Sequence, residues 1–306
     1  MKKYIFFVAA LLVIAGGITV FTKLYAQSAP QGLMISPTNI ELVTNPGDTV
    51  TKSITLFNNS KFDVDIVPET RNFTAQGEEG NVTLTSEETG YSLASWITVL
   101  PLKATIKAGK SEDFTFTMKV PANAEPGGHF GSVVLSTVPP PKGTLRQSGA
   151  YVLQQLGALI LVKTPGVIKE FADLESFTTN KNFYISGPVQ FTTRVKNSSN
   201  VHIRPLGTIS IKDMFGNKTV LPAGGLNVLP GAIRRIPTIW NNKFLIGRYT
   251  ADLSMFYGDS NKNLTSTIIF YAFPLNYAII AIIILAIIIV FRKRLIKAFR
   301  IIIIGK

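Results

Sequence analysis

The sequence predicts an all-β protein built from two antiparallel β-sandwiches in tandem, with an apolar helix near each end. From residue 33 onward, short runs rich in Val, Ile, Thr and Phe alternate apolar and polar positions and stop at Pro, Gly or Asn. The phrase ITLFNNSKFDVDIVP at 54–68 returns as FTTRVKNSSNVHIRP at 191–205. The longest apolar runs lie near the two ends of the 306 residues.

Residues 1–29 have the layout of a secretory signal peptide. Lys2 and Lys3 precede an almost wholly apolar stretch, and Ala26 and Ala29 offer small residues for cleavage. Since the apolar stretch is long for a signal peptide, two outcomes stay open. The segment is either cleaved or retained as an N-terminal anchor.

The repeated phrase predicts two immunoglobulin-like domains, at 30–165 and 166–272. Each copy reads as two neighbouring strands joined by an Asn-x-Ser turn, in which Asn and Ser side chains bond the local backbone. The parallel continues downstream, because IKAG at 106–109 matches VLPG at 228–231. A long exposed loop is predicted at 138–150, which contains three consecutive prolines.

The second apolar block predicts a transmembrane helix at 273–291, with its uniformly apolar part running from Leu275 to Phe291. The tail at 292–306 is basic, and its apolar run is too short to cross a bilayer, so we expect it along the inner leaflet. The residues that set the topology are Arg292, Lys293, Arg294, Lys297 and Arg300. The positive-inside rule then predicts a single-pass protein of the cell membrane, with extracellular sandwiches and a cytoplasmic C-terminus.

The net charge of +13 mostly reflects this topology, because the two ends contain nine basic and no acidic residues. The chain is therefore not predicted to bind nucleic acid. The absence of cysteine excludes thiolate zinc sites and cysteine nucleophiles.

The sequence predicts no enzyme, no cofactor, no metal and no catalytic residue. Its two histidines, His129 and His202, are expected to be solvated groups on strands, and no nucleophile motif accompanies either. A surface hydrolase is a weaker hypothesis, which would require Asp63, Glu79 and Glu88 to meet in a cleft. Calcium binding by such acids is a further alternative.

Aromatic residues are better candidates for ligand contact. Trp96, with Tyr91 nearby, and Trp240 lie in strand-like stretches. Such rings serve either as apolar platforms for sugars and peptides or as core residues, and the sequence leaves both readings open.

Several stretches resemble bacterial cell-surface proteins that interact with WxL-domain proteins. These stretches are ISPTNIELVTNPGDTVTKSITLFNNS, KVPANAEPGGHFGSVVLS, AYVLQQLGALILV, VKNSSN and NVLPGAIRRIPTIWNNKFLIGRYTADL. The resemblance implies that the first domain binds peptidoglycan and the second a protein partner of WxL type. It transfers no role to a particular residue.

The sequence thus favours a membrane-anchored, non-enzymatic binding or adhesion scaffold of the bacterial cell surface, which binds cell-wall glycan, a surface protein or both. Its ligand-binding residues are not predicted. The alternative is a membrane-anchored assembly chaperone of the pilus type that acts by strand complementation. For that function the strand of interest is AYVLQQLGALILVK at 150–163, which would have to be long, apolar and unpaired.

Overall fold

A computed structural model describes residues 32–139, 153–258 and 262–304. The predicted signal peptide and most of the predicted loop at 138–150 lie outside these residues. The strands of the first half are β1 Leu33–Ser36, β2 Asn39–Val43, β3 Thr49–Asn58, β4 Val64–Gln76, β5 Asn81–Thr85, β6 Ile97–Leu100, β7 Ala104–Ile106, β8 Ser111–Lys119, β9 Gly127–Thr137 and β10 Gln155–Thr164. Those of the second half are β11 Ala172–Thr179, β12 Phe183–Tyr184, β13 Val189–Asn197, β14 Leu206–Asp213, β15 Lys218–Gly224, β16 Ile233–Trp240, β17 Gly247–Tyr257 and β18 Lys262–Ala272. One helix follows, α1 Leu275–Ile304.

The strands form two sandwiches, and the predicted fold class is confirmed. In the first, the sheet β1-β3-β8-β6 faces the sheet β2-β10-β9-β4-β5, with β7 added beside β4. In the second, the sheet β11-β13-β16 faces the sheet β12-β18-β17-β14-β15. Each sandwich has its own apolar core, because alternate residues of both sheets point inward.

The pairing differs from a purely antiparallel sandwich at two sheet edges. β2 pairs in parallel with β10, and β12 in parallel with β18. For β2 the reason lies at Pro37, which has no N–H to continue a ladder. The chain leaves the first sheet after β1, crosses to the other sheet and continues in the same direction as β2 beside β10.

The repeated Asn-x-Ser turn is the same structure twice. Asn58 is fully buried and donates from Nδ2 to the carbonyls of Phe62, at 2.8 Å, and Ile106, at 3.0 Å. Asn197 is equally buried and donates to the carbonyls of Val201, at 2.8 Å, and Val228, at 2.7 Å. In both turns the Asn Oδ1 accepts the backbone N–H of the serine two residues on.

The downstream match in sequence has the same cause. The amide of Gly109 donates to the Asn58 carbonyl, and the amide of Gly231 donates to the Asn197 carbonyl, both at 2.8 Å. The segments IKAG and VLPG therefore occupy equivalent places, each bound to its own buried asparagine.

Two residues separate β18 from α1, which runs for 30 residues, about 45 Å at 1.5 Å per residue. Its stretch Leu275–Arg292 has a mean hydropathy of 2.6, and none of its residues whose side chains are described is buried, so it is long and apolar enough to cross a membrane. The predicted tail differs from expectation in one respect. Residues 292–304 continue the same helix without a break, whereas the sequence predicted a segment distinct from the spanning helix.

Asn197→Ala and Asn58→Ala are each expected to destabilise the protein by about 3 kcal/mol, because each removes at least three hydrogen bonds made by a fully buried side chain. Urea unfolding followed by tryptophan fluorescence would measure the loss. Ser198→Ala, an exposed change in the second turn, is the matched control and should shift the midpoint little. Equal midpoints for Asn197→Ala and Ser198→Ala would contradict the structural role of the turn.

Candidate functional site

The two sandwiches meet across the outer face of the first sandwich's six-stranded sheet. Phe73, Phe130 and Leu161 on this face are buried in a small apolar cluster, to which Leu229 of the second sandwich belongs. Leu229 lies in the segment 225–232 that joins β15 to β16. The interface therefore has an apolar centre of its own, apart from the two sandwich cores.

Backbone hydrogen bonds join the sandwiches directly. Gly128 N–H donates to the Asn200 carbonyl at 2.8 Å, and Arg235 N–H donates to the Glu78 carbonyl at 2.8 Å. A Cβ at position 128 would lie 3.2 Å from the Cα of Val201, so a glycine here lets the two backbones approach closely.

Charged side chains form ion pairs at the periphery of the interface. Glu78 accepts from Arg194 Nε at 2.7 Å and also from Arg194 Nη2, as a two-point contact. Arg235 pairs with Glu79 at 2.7 Å. The hydrogen bonds from Arg194 hold the pKa of Glu78 below its ordinary value. Because these groups are partly exposed and screened by salt, they fix orientation more than they add stability.

A cleft of about 240 Å³ lies beside this interface. Its floor is apolar, and its apolar lining residues are Phe73, Ala75, Val82, Leu159, Leu161, Leu226, Val228, Leu229, Ala232 and Ile233. Its polar lining side chains are Asn39, Glu41, Asn81, Arg204, Asn227 and Arg234. Residues of both sandwiches thus build a single concave surface, which is the commonest setting for a ligand site.

The polar groups at one wall of the cleft are already paired with each other. Asn227 Nδ2 donates to Glu41 Oε1 at 2.6 Å, and Arg204 lies 3.8 Å from the same oxygen. Arg204 Nε also donates to the Gly225 carbonyl at 3.0 Å. This wall links the sandwiches and leaves little donor capacity for a ligand.

Arg234 differs from the paired side chains of this wall, because one of its donor atoms has no partner. Its guanidinium lies across Gly80, where an added Cβ would fall 1.0 Å from Arg234 Nη1, so a side chain at position 80 would displace the guanidinium from this place. Arg234 Nε and Asn227 Oδ1 are buried without a hydrogen-bond partner in the described part of the chain. Burial lowers the pKa of Arg234, and Glu79 opposes the shift. A buried donor and a buried acceptor without partners are what an incoming polar ligand would satisfy.

The histidine prediction is wrong. His129 is buried, donates from Nε2 to the Glu125 carbonyl at 3.0 Å and packs on Trp96 with ring centroids 4.5 Å apart. His202 packs on Phe130 at the interface, with ring centroids 5.8 Å apart. The alternation of Val201, His202 and Ile203 correctly predicted that His202 points away from the core of its own sandwich. The other sandwich, however, covers the face to which it points.

The acidic residues of the hydrolase hypothesis do not meet. Asp63 accepts the Ala108 amide at one end of β4, and Glu79 pairs with Arg235 beyond the other end. The 13 residues of β4 separate them by about 40 Å. Glu88 lies near Asn72 Nδ2, at 3.5 Å. Within the described residues, no group of three or more His, Asp or Glu side chains could hold a metal ion.

The tryptophans serve packing. Trp240 is buried against Tyr249 and Phe270, with centroids 5.5 and 6.4 Å apart, which settles its two readings in favour of the core. Trp96 is half-buried, with its ring against His129. Tyr91 is exposed and lies 6.1 Å from the Phe130 ring.

Comparison with known proteins finds similarity at the level of fold. No protein-family model and no curated protein matches the chain. Among solved structures, the class 5 fimbriae chaperone CfaA has 18% identity, covers 77% of this chain and 98% of its own, and has a TM-score of 0.39. The CsuC–CsuE chaperone–tip adhesion subunit complex of Acinetobacter baumannii has 13% identity, 79% and 99% coverage and a TM-score of 0.37. The Salmonella enterica SafA pilin in complex with the SafB chaperone has 12% identity, 80% and 98% coverage and a TM-score of 0.36.

Those structures are described as chaperones and their complexes. What the chain shares with them is an arrangement of mainly antiparallel strands in sandwiches. Identities of 12–18% leave the ligand and its binding residues to be argued from the cleft itself.

Stability is expected to fall as the pH drops below about 6.5, the ordinary pKa of histidine. Burial lowers the pKa of His202 in the folded protein, with a smaller opposing effect of Glu41 and a smaller lowering effect of Lys163. The unfolded chain therefore binds the proton first, so stability is present above pH 6.5 and is lost towards the lower folded pKa.

His202→Gln should remove most of this pH dependence. The measurement is the urea midpoint of both proteins between pH 5 and pH 7.5. Identical pH profiles for wild type and His202→Gln would show that His202 does not cause the loss.

Proposed function

We propose that the chain is a membrane-anchored, non-enzymatic binding protein of the bacterial cell surface that holds a surface protein in the cleft between its sandwiches. The observation that carries this proposal is an apolar cleft closed by two buried polar atoms without partners, Arg234 Nε and Asn227 Oδ1. Anchorage is supported by the apolar length of α1, and the basic residues that follow its apolar stretch support a cytoplasmic C-terminus.

A protein ligand fits the cleft better than a glycan does. Sugar sites place exposed aromatic rings against the flat faces of the sugar, whereas Trp240 is buried and Trp96 packs on His129. The aliphatic floor instead suits apolar side chains, and the Arg234 guanidinium suits a carbonyl or carboxylate of the ligand.

An extended segment would also find a sheet edge at the cleft. β5 pairs with β4 on one side, and its other edge has no strand partner in the described part of the chain. Val82 of β5 lines the cleft, while Leu84 of the same strand is exposed. A partner strand that adds to β5 would place alternate side chains beside the cleft.

The resemblance to WxL-interacting proteins extends this proposal at the level of domains. It assigns peptidoglycan to the first sandwich and a WxL-type protein to the second. The cleft contains residues of both sandwiches, so a protein held there would contact the first sandwich as well.

A pilus-type assembly chaperone that acts by strand complementation is the second candidate, and the observation that favours it is the partly open edge of β10. β2 pairs with residues 159–163 of β10, whereas residues 155–158 pair with β9 alone. The open part is four residues long, whereas the most apolar part of the strand predicted for this function, residues 159–162, is covered by β2. The structures similar in fold carry the description of fimbrial and pilus chaperones.

Crosslinking from single cysteines would test the two candidates, because the chain has no native cysteine. A photoactivated crosslinker at Val82→Cys or Leu229→Cys is expected to capture a surface protein from intact cells. Ser53→Cys, on the exposed face of β3, is the control and should capture nothing. Protein captured from Gln155→Cys alone would favour strand complementation by β10, and capture of glycan alone, or of nothing, would overturn the proposal.

Arg234→Met is expected to weaken retention of the captured protein by about tenfold, the loss of one hydrogen bond to a charged group. Arg71→Met is the matched control, because Arg71 pairs with Glu69 at 2.9 Å outside the cleft. Retention would be measured as the amount of partner that copurifies with detergent-solubilised protein. An equal effect of both changes would argue against a specific role for Arg234.

A further inference from the structure

We propose that the end of the second sandwich nearest α1 lies against the headgroup region of the bilayer that α1 crosses, so that the sandwich is held on the membrane surface. This membrane-facing end comprises the loops 180–188, 214–217 and 241–246. The inference rests on the proposed membrane anchorage and adds a lipid-binding surface to it.

The strand registers bring these loops to one end of the sandwich. Tyr271, near the end of β18, pairs with both Phe183 and Arg248. Asp213, the last residue of β14, pairs with Tyr249 of β17. The Gly187 amide bonds the Lys243 carbonyl, which joins two of the loops.

The membrane-facing end exposes large apolar side chains in every loop. The clearest cases are Phe215, which is 69% exposed, Met214 at 60% and Phe244 at 50%. The others are Phe183, Ile185 and Ile246. Aromatic and aliphatic side chains clustered beside a membrane helix are typical of residues that enter the interfacial region.

The 214–217 loop is built to present its apolar residues. Asp213 accepts the amides of Phe215, at 2.9 Å, and Asn217, at 2.8 Å, and it accepts Asn217 Nδ2 at 2.8 Å. The side-chain hydrogen bond from Asn217 also lowers the pKa of Asp213. The acid is thus used within its own turn, so Phe215 is exposed on a fixed backbone, while the side chain of Met214 lies over Gly247 and is also largely exposed.

The connection to α1 leaves little freedom. Only Phe273 and Pro274 separate β18 from the helix, and the Phe273 amide bonds the Tyr184 carbonyl at 2.9 Å. The rings of Phe244 and Tyr277 meet with centroids 5.5 Å apart, so a loop of the sandwich packs on the first turn of α1. A helix that enters the bilayer here carries the membrane-facing end to the lipid surface.

The net positive charge of the membrane-facing end is consistent with a place at the bilayer surface. In the sequence, the basic residues of the loops and of the strand ends beside them are Lys181, Lys212, Lys218, Lys243 and Arg248, against one acid, Asp213. An excess of positive charge next to a membrane helix favours anionic phospholipids. The chemistry of the surface is therefore apolar and cationic, as a phospholipid interface requires.

The full chain in phospholipid nanodiscs of phosphatidylcholine and phosphatidylglycerol would test the inference. A spin label at Phe215→Cys or Ile246→Cys is expected to be relaxed by oxygen, which concentrates in lipid, and protected from a water-soluble nickel complex. A label at Thr265→Cys, on the outer face of the sheet that contains β18, should be relaxed by the nickel complex and much less by oxygen. A label at Ile283→Cys reports whether α1 crosses the bilayer.

The outcomes separate the two proposals. Labels at 215 and 246 in water, with the label at 283 in lipid, would overturn the docking and leave the anchorage. A label at 283 in water would overturn both. Labels at 215 and 246 protected from oxygen and nickel alike would indicate a protein contact, which also contradicts a lipid surface.

The double variant Phe215→Ser, Phe183→Ser should lower the docked fraction, read from the label at 246, by about tenfold or more, since two exposed aromatic rings lose their transfer to lipid. The control Phe62→Ser, Leu102→Ser removes two exposed apolar residues of the first sandwich and should leave docking unchanged. Urea midpoints confirm that both variants fold. An unchanged docked fraction in the first double variant would overturn the assignment of these residues.

Discussion

The structure depends on the buried asparagine of the Asn-x-Ser turn, which is present once in each sandwich. In each sandwich it ties the turn between two strands to a loop from across the sandwich. In the first sandwich that loop leads to exposed residues at 107–110. In the second, the carbonyl bonded by Asn197 belongs to Val228, whose neighbours Asn227 and Leu229 line the cleft. The same device therefore closes one sandwich and, in the other, also positions a wall of the candidate site.

The interface between the sandwiches makes this site preformed. An apolar cluster, two direct backbone hydrogen bonds and the Glu78 ion pairs hold the two bodies together without a ligand. A ligand that enters the cleft would not have to order flexible segments first, which reduces the entropy lost on binding. The preformed cleft costs free energy at Arg234, because burial keeps its guanidinium partly desolvated in the unliganded protein.

Alternation and the internal repeat predicted the fold because both act within short stretches of sequence. The Asn-x-Ser turns and the match of IKAG with VLPG were visible as sequence patterns, and the structure shows the hydrogen bonds that account for them. The cleft was not predicted, since it arises from the packing of the two sandwiches and no local pattern records which faces meet. The pair Arg234–Arg235 in a strand was the available signal, because alternation sends the two side chains to opposite faces. The wrong histidine prediction has the same origin.

If both proposals hold, the cleft and the membrane-facing end together set the height above the membrane at which a ligand is bound. β17 runs from Gly247 at the membrane-facing end to Tyr257 near the interface between the sandwiches. Its 11 residues span about 35 Å in extended conformation. With the lower end on the headgroups, the cleft would be fixed about one domain length above the bilayer. A sandwich on a flexible stalk would sample a wide range of heights, whereas a docked one presents β5 and Arg234 at a constant distance. Partners tethered to the same membrane or embedded in the wall at that height would therefore be favoured over soluble ones.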